Sequence, residues 1–500
     1  MRRHHIAPND LPEYAAIFKH AQNNLVLSFL NNLLKRTAAL LGYPVYVGLP
    51  SEVVECQGKP EQLRVLRIVK RLQESGYIKC SHYTINSLAD EPLGHIMLHD
   101  LGENYDIGWS GKSAHTSDKD YLAWPALGEA IERYSMRYSY CKPRHLIQTS
   151  YKKLTKPKVN IFALASFSES EQSSSTAPYR FDYTEDEIFT WVPVTQVGVK
   201  HMIYAPWQWF SFSYVVSDVK AKKSEPLLTP PITTGAAAGQ TIEEATLGGL
   251  LEVIERDAFM VYWLQQLQAK KITLESIVND EIQQLVALAK DYRLELHMLY
   301  LQTDVPVHTI SLVILDRTGV GPAVNISAKT GFNIEAMIID ILQDQLAQRG
   351  AIYQLKESYP HMTDVPDHEI THVSRMLFWH RFDRIQDIEY FLSGQMCQLS
   401  DLPDYQMETD VSTQLNHLYT WFAAKEYPIY WREIISPELK DLCEGVSVVV
   451  VKVPDMQPLY LEEQLKATGG TRLQSVPKEL GLPTWYDTHG TYYPVPHPFP

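Results

Sequence analysis

The chain has 500 residues, with 45 Lys and Arg against 59 Asp and Glu, for a formal charge of −14. A hydrophobic content of 45% with 21% charged residues excludes a wholly disordered chain, and the length suits about two to four domains. The acid excess excludes a general nucleic-acid-coating protein, which needs clustered Lys and Arg, yet leaves open phosphate binding through cations carried on carboxylates.

At the start, Met1-Arg2-Arg3 is basic, but Pro8, Asn9, Asp10 and Pro12 interrupt the apolar stretch that a secretion signal needs. No segment approaches the roughly 18 consecutive apolar residues of a membrane span. The five cysteines (Cys56, Cys80, Cys141, Cys397, Cys443) are scattered and form no Cys-x-x-Cys pair, so neither a disulfide framework nor a thiolate zinc site is expected. These features point to a cytoplasmic protein.

In chain order, residues 1–105 read as a helix-rich unit. Gln22–Leu41 has an apolar helical face through Leu25, Phe29, Leu33 and Leu41, with Gly42 placed to end it. Leu63–Glu74 is a second helix, apolar at Val65, Leu66, Val69 and Leu72 and basic at Arg64, Arg67, Lys70 and Arg71. Ser75-Gly76 and a strand over Tyr77–Ile85 follow, in the order helix, turn, strand of a winged-helix element; plain helical packing fits equally.

From residue 106 strands alternate with long helices. Leu294–Leu301, Thr309–Leu315, Ala323–Ser327 and Val446–Val453 are strand-length apolar runs. Helical patterns cover Trp124–Tyr140, Ile242–Gln268, Asn333–Tyr353 and His368–Leu392. The expected fold class is α/β (α+β), a body of strands covered by helices over residues 106–500.

Two motif-like matches are weak. Gly108-Trp109-Ser110-Gly111-Lys112-Ser113 lacks the glycine a P-loop needs, because Asp106 occupies that position, although Lys112 could still meet a phosphate. His368-Glu369-Ile370-Thr371-His372 has zinc-peptidase spacing but marks no third ligand.

Two helices carry a stronger pattern. Glu129 and Glu132 stand three apart on one helical face. On Ile242–Gln268, Glu244, Glu252 and Glu255 fall at roughly 0°, 80° and 20° around the axis, beside an apolar stripe of Leu247, Leu251, Ile254 and Ala258. From Ile232 to Ala269 the only basic residue is Arg256. A solvated acidic face and a carboxylate-held cation both fit this pattern; Mg2+ suits the second, since it takes a few carboxylates together with phosphate oxygens. Gln345 and Arg349 lie one turn apart on a third helix, where Arg349 complements the helix C-terminus or meets a phosphate. The end, Tyr493-Pro494-Val495-Pro496-His497-Pro498-Phe499-Pro500, can form neither helix nor central strand, so it is an extended segment, either a flexible end or a docking strand.

Together these pieces resemble the YcaO superfamily. Glu129-Ala130-Ile131-Glu132-Arg133 is similar to its first ATP-binding motif, Thr234–Asp257 to its second and Gln345-x-x-x-Arg349 to its third. Gly445–Pro454 resembles its closing strand, and the terminus resembles the Pro-x-Pro-x-Pro end of its azoline-forming cyclodehydratases. The resemblance implies an ATP-dependent catalytic domain over 106–500, with 1–105 as a docking domain. It implies Mg2+ on Glu129, Glu132, Glu244, Glu252 and Glu255, and ATP on Lys112, Arg133, Gln240, Gln345 and Arg349. It also sets Pro496, Pro498 and Pro500 beside the reacting peptide. The implied reaction converts Cys, Ser or Thr of a ribosomal precursor peptide to thiazoline or oxazoline; thioamide or amidine formation and a non-cyclising accessory role are the alternatives. The implied partners are a leader-binding protein resembling a ubiquitin-activating enzyme and a flavin-dependent azoline dehydrogenase, with no nucleic acid or membrane. Departures from the family pattern are Pro125, Ser113 and Gln240-Thr241, which stand where Ser, Gly and Asn-Ser are common.

Overall fold

The computed structural model describes Val47–Gly48 and residues 60–499, except 79, 87–93, 101–110, 116–121, 142–144, 164–166, 174–178, 182, 360–361, 363–369, 371, 406 and 408. The expected helix Gln22–Leu41, His368, Glu369 and Pro500 therefore lie outside the described residues, as do the side chains of Lys112 and His372.

Three sheets organise the molecule. The first, antiparallel throughout, joins β1 (Val47–Gly48), β2 (Cys80–Asn86), β3 (Gly94–Asp100) and β4 (Gly111–His115) in that order. Because β4 pairs with β3, this sheet straddles the boundary expected at 105/106. Between β1 and β2, α1 (Pro60–Glu74) buries Val65, Ile68 and Leu72 on its apolar face.

A second sheet has the order β5 (Ile147–Ser150), β6 (Ile188–Gln196), β14 (Tyr430–Glu433), β15 (Ser447–Lys452) and β8 (Ala236–Gly239), with β7 (Ile203–Pro206) also paired to β6. The third has the order β12 (Val324–Gly331), β11 (His308–Asp316), β10 (Leu294–Tyr300), β9 (Lys270–Ile272) and β13 (Met396–Cys397). Only the short β13–β9 pair among these ladders is parallel. The expected α/β (α+β) class is what the structure has.

Between the second and third sheets runs α3 (Ile242–Leu264), packed on β8 and β15 on one side and on β11 and β12 on the other. Thr241 caps its start by accepting from Glu244 N–H. Its last seven residues, Ala258 to Leu264, are all buried, as expected of a helix with apolar contacts all round. Two glycines permit this close seating. At Gly235, with φ of +88°, a Cβ would stand 2.1 Å from the Val451 carbonyl oxygen; at Gly249 it would stand 2.4 Å from the Gly235 carbonyl oxygen.

Strand β4 lies against both α2 (Ala123–Arg137) and α5 (Ile334–Ser358), so the backbone of Lys112 runs between the helices that carry the first and third acidic or polar motifs. The pattern expected as one helix over His368–Leu392 is instead α6 (His372–Phe378) followed by a 3-10 turn at Phe382–Ile388. The break has a cause: the carbonyls of Trp379 and His380 accept from Val324 and Ala323, so they are lost to any continuing helix. Among the described residues no helix is long and apolar enough to cross a membrane.

Candidate nucleotide and metal site

The second motif begins where β8 turns into α3. Gly235 N–H donates to Glu252 Oε2 at 2.8 Å, and Lys452 Nζ donates to the Thr234 carbonyl at 2.8 Å, so strand, turn and helix are fixed to one another around Glu252. Lys452 is held down to about 8, first by burial, with the Glu252 charge opposing.

Four of the five expected metal ligands come together here. Glu132 on α2 is raised well above the usual carboxyl range, first by burial and then by the charges of Glu252 and Glu129. Glu255 is pushed up to about 7, again by burial first; Arg256 pulls it down, Glu252 pushes it up, and Thr330 donates a backbone hydrogen bond to it. Such crowding of partly buried carboxylates is unfavourable unless protons or cations neutralise it. Two arginines pair directly with these carboxylates, and the Lys329 charge also pulls Glu255 down. Arg133 meets Glu129 at 2.6 Å, and Arg256 meets Glu252 and Glu255 at 3.2 Å each.

Among the described residues no three His, Cys, Asp or Glu side chains converge closely enough to hold an ion as they stand. The donor chemistry nevertheless fits Mg2+: hard carboxylate oxygens from two helices, held near one another at the cost of raised pKa values. Glu244 stands apart, about 12 Å along the helix from Glu252, where its Oε2 accepts from Gln240 N–H at 2.8 Å.

The remaining expected nucleotide contacts are distributed around this centre. Gln240 is exposed on the β8–α3 turn. Gln345 is buried beneath β12, and its side-chain oxygen is a buried acceptor with no hydrogen-bond partner. Arg349 is fully buried and meets Asp316 at 2.6 Å. The Asp316 carboxyl is held below its usual range by hydrogen bonds from Thr318 and Arg349, which outweigh burial.

The proline-rich end is neither loose nor exposed over its last described residues. Trp263 Nε1 donates to the Val495 carbonyl at 3.0 Å, Trp379 Nε1 to Pro496 at 3.2 Å and Arg375 to His497 at 3.3 Å. His497 is buried and bonds the Tyr460 carbonyl through Nε2 at 2.7 Å. Phe499 packs on Phe259 with ring centroids 4.8 Å apart, and the Arg256 guanidinium lies 4.0 Å from the centre of its ring. One arginine therefore joins the tail to Glu252 and Glu255. Sequence reasoning assigned no role to Arg256; its signal was that it is the single basic residue in an acidic helix. Trp263, Trp379 and Lys452 gave none, since nothing local marks a tryptophan or lysine that will meet a distant backbone carbonyl.

Comparison with known proteins follows the same lines. A heterocyclase in complex with substrate and cofactor aligns at 19% identity and a TM-score of 0.66, over 86% of this chain and 57% of its own. The heterocyclase TruD aligns at 20% and 0.58, over 75% and 50%. YcaO from Methanopyrus kandleri, bound with AMPPCP and Mg2+, aligns at 14% and 0.55, over 80% and 91%. This chain thus spans little more than half the length of the two heterocyclases, and at these identities the likeness is one of fold. No curated protein matches the sequence. The family described as YcaO cyclodehydratase, ATP- and Mg2+-binding, matches residues 123–457, about two thirds of the chain including the helices α2, α3 and α5, and the protein belongs to that family.

Proposed function

We propose that the protein is an ATP-dependent peptide cyclodehydratase. The observation that carries the reading is the seam where Glu129, Glu132, Glu252 and Glu255 gather and where Arg256 connects two of them to the proline-rich end.

In this reading the thiol or hydroxyl of a peptide Cys, Ser or Thr attacks the preceding amide carbon. The former amide oxygen takes the γ-phosphoryl group of ATP and leaves as phosphate, a far better leaving group than the oxygen alone. Two protons are lost as the ring C=N bond forms, so one peptide and one ATP yield one azoline, ADP and phosphate. Mg2+ bound to the phosphates would neutralise their charge and align them.

The chain's own residues position and compensate. Glu252 and Glu255 would exchange Arg256 for the metal, and the freed guanidinium would remain over Phe499, against the peptide-facing tail. Glu129 and Glu132 would supply the second side of the metal site, with Arg133 released toward phosphate. Glu244 would join only by giving up Gln240 N–H. Gln345 offers a buried acceptor for a nucleotide donor, and Arg349 would act through its buried pair with Asp316. Lys112, Pro496, Pro498 and Pro500 keep the roles implied by family resemblance.

The proposed substrate is a ribosomal precursor peptide, delivered by a leader-binding partner resembling a ubiquitin-activating enzyme. A flavin-dependent dehydrogenase would then oxidise azolines to azoles. A reducing cytoplasm suits Cys141, Cys397 and Cys443, none of which is in a disulfide.

The test is mass spectrometry of a Cys/Ser/Thr-rich precursor incubated with the protein, its partner, ATP and Mg2+. Loss of about 18 Da per modified residue is expected, whereas a gain of about 16 Da would replace ring formation with sulfur-for-oxygen exchange.

A further inference from the structure

The basic face of α1 is not simply solvated. Arg67 meets Glu444 at 3.1 Å and Arg71 meets it at 3.3 Å. Arg64 meets the same carboxylate at 3.5 Å and reaches further. Its Nη2 donates to the Glu444 backbone carbonyl at 3.1 Å, its Nη1 donates to Gln240 Oε1 at 2.6 Å, and its guanidinium carbon lies 5.6 Å from the ring centre of Trp124. One side chain therefore touches the start of α2, the β8–α3 turn and the turn that leads into β15, three elements that frame the nucleotide site.

The Glu444 turn is built for this contact. Glu444 has a φ of +54°, a conformation that is costly for a residue with a side chain. Glutamate persists there with its carboxylate gathering arginines and its carbonyl turned to Arg64.

We infer that Arg64, supplied by the N-terminal helix, is a positioning residue for nucleotide binding that acts through Gln240. The reason lies in the donor inventory. A guanidinium carries five donors and no acceptor, so it can engage only the oxygen end of the Gln240 amide. That choice turns the amide Nε2 outward as a donor, the group that a phosphate or ribose oxygen accepts from. Without Arg64 the exposed amide is free to rotate and to present either end. The inference rests on the nucleotide reading above.

The experiment measures binding of a non-hydrolysable ATP analogue with Mg2+ by calorimetry, using the full chain, with unfolding midpoints recorded for each variant. Arg64→Ala should weaken binding about tenfold, the scale of one charge-assisted hydrogen bond. Arg64→Lys, which restores one donor but not the fork, should return to within about threefold of the unaltered chain. Gln240→Ala should weaken binding to the same degree, and Arg64→Ala combined with Gln240→Ala should be no worse than either alone. Arg71→Ala, which loosens the same helix without touching Gln240, should leave affinity unchanged.

Unchanged affinity in Arg64→Ala, multiplicative losses in the double variant, or an equal loss in Arg71→Ala would each overturn the inference. Failure of the unaltered chain to bind the analogue would overturn the nucleotide reading itself, and the inference with it.

Discussion

Glu252 and Glu255 compete for one guanidinium, that of Arg256, and Glu252 also lies within reach of the charge of Glu132. A neutral amide at either position would remove a proposed metal ligand and also relieve the crowding, so loss of function should come without loss of fold. Glu252→Gln and Glu255→Gln should each lower Mg2+-dependent ATP consumption by at least about a hundredfold, with the thermal midpoint kept or raised. Steady phosphate release at unaltered rates in both would remove the metal role from this helix. Gly235 tests the opposite case, in which fold is lost. A methyl group there collides with the Val451 carbonyl and must adopt an unfavourable φ, so Gly235→Ala should cost about 2–4 kcal/mol in urea unfolding.

At the scale of elements, the tail is a strap whose carbonyls at Val495, Pro496 and His497 are each taken by a tryptophan or arginine. Truncation after Tyr493 should therefore suppress peptide ring formation by at least about tenfold while leaving binding of an ATP analogue within about twofold. Equal loss of both would mean that the strap serves the fold alone. Glu225, in the proline-interrupted segment that precedes β8, makes a separate prediction about pH. It is buried and raised to about 7, burial outweighing the hydrogen bonds from Thr190, Gln208 and Tyr214. Between the usual 4.5 and about 7 the folded state holds this proton more tightly than the unfolded state, so stability falls as pH rises through that window. Glu225→Gln should flatten that part of the stability profile in denaturant titrations from acid to neutral pH.

The long elements were legible because their signals are local. Ile242–Gln268 and Trp124–Tyr140 were expected from helical periodicity and are observed as Ile242–Leu264 and Ala123–Arg137. The placing of Glu252 and Glu255 beside an apolar stripe anticipated their partial burial. Strand β6 was not expected: Pro193 in its middle argues against a strand, yet the residue pairs with Tyr204 and its carbonyl accepts from Arg432. The continuous helix over His368–Leu392 failed for a tertiary reason, the capture of two carbonyls by the edge of β12. The burial of Arg349 against Asp316 and the reach of Arg64 to Gln240 span 33 and 176 residues, separations that no window of sequence can register.

Across the whole molecule, some of the acidic residues serve the architecture. Asp257, one residue past Arg256, is fully buried and paired with Arg472, which also takes Asp304 at 2.9 Å. Arg472 opens α9 (Arg472–Leu480), so this triad fastens the C-terminal segment to the central helix that carries Glu252 and Glu255. Arg472→Met should strand two buried carboxylates and cost about 3–5 kcal/mol, read as a lower urea midpoint. It should also weaken ring formation, because the tail follows from this anchor. In the proposed function α1 orders the nucleotide side, α3 carries the acids and the C-terminal strap meets the peptide. In the proposed reaction the amide oxygen of the substrate leaves as phosphate. A precursor peptide labelled with heavy oxygen at the amide preceding a reactive Cys, treated with the protein, its partner, ATP and Mg2+, tests this directly. The account predicts one heavy oxygen in the released phosphate for each ring formed; rings formed with phosphate free of the label would contradict it.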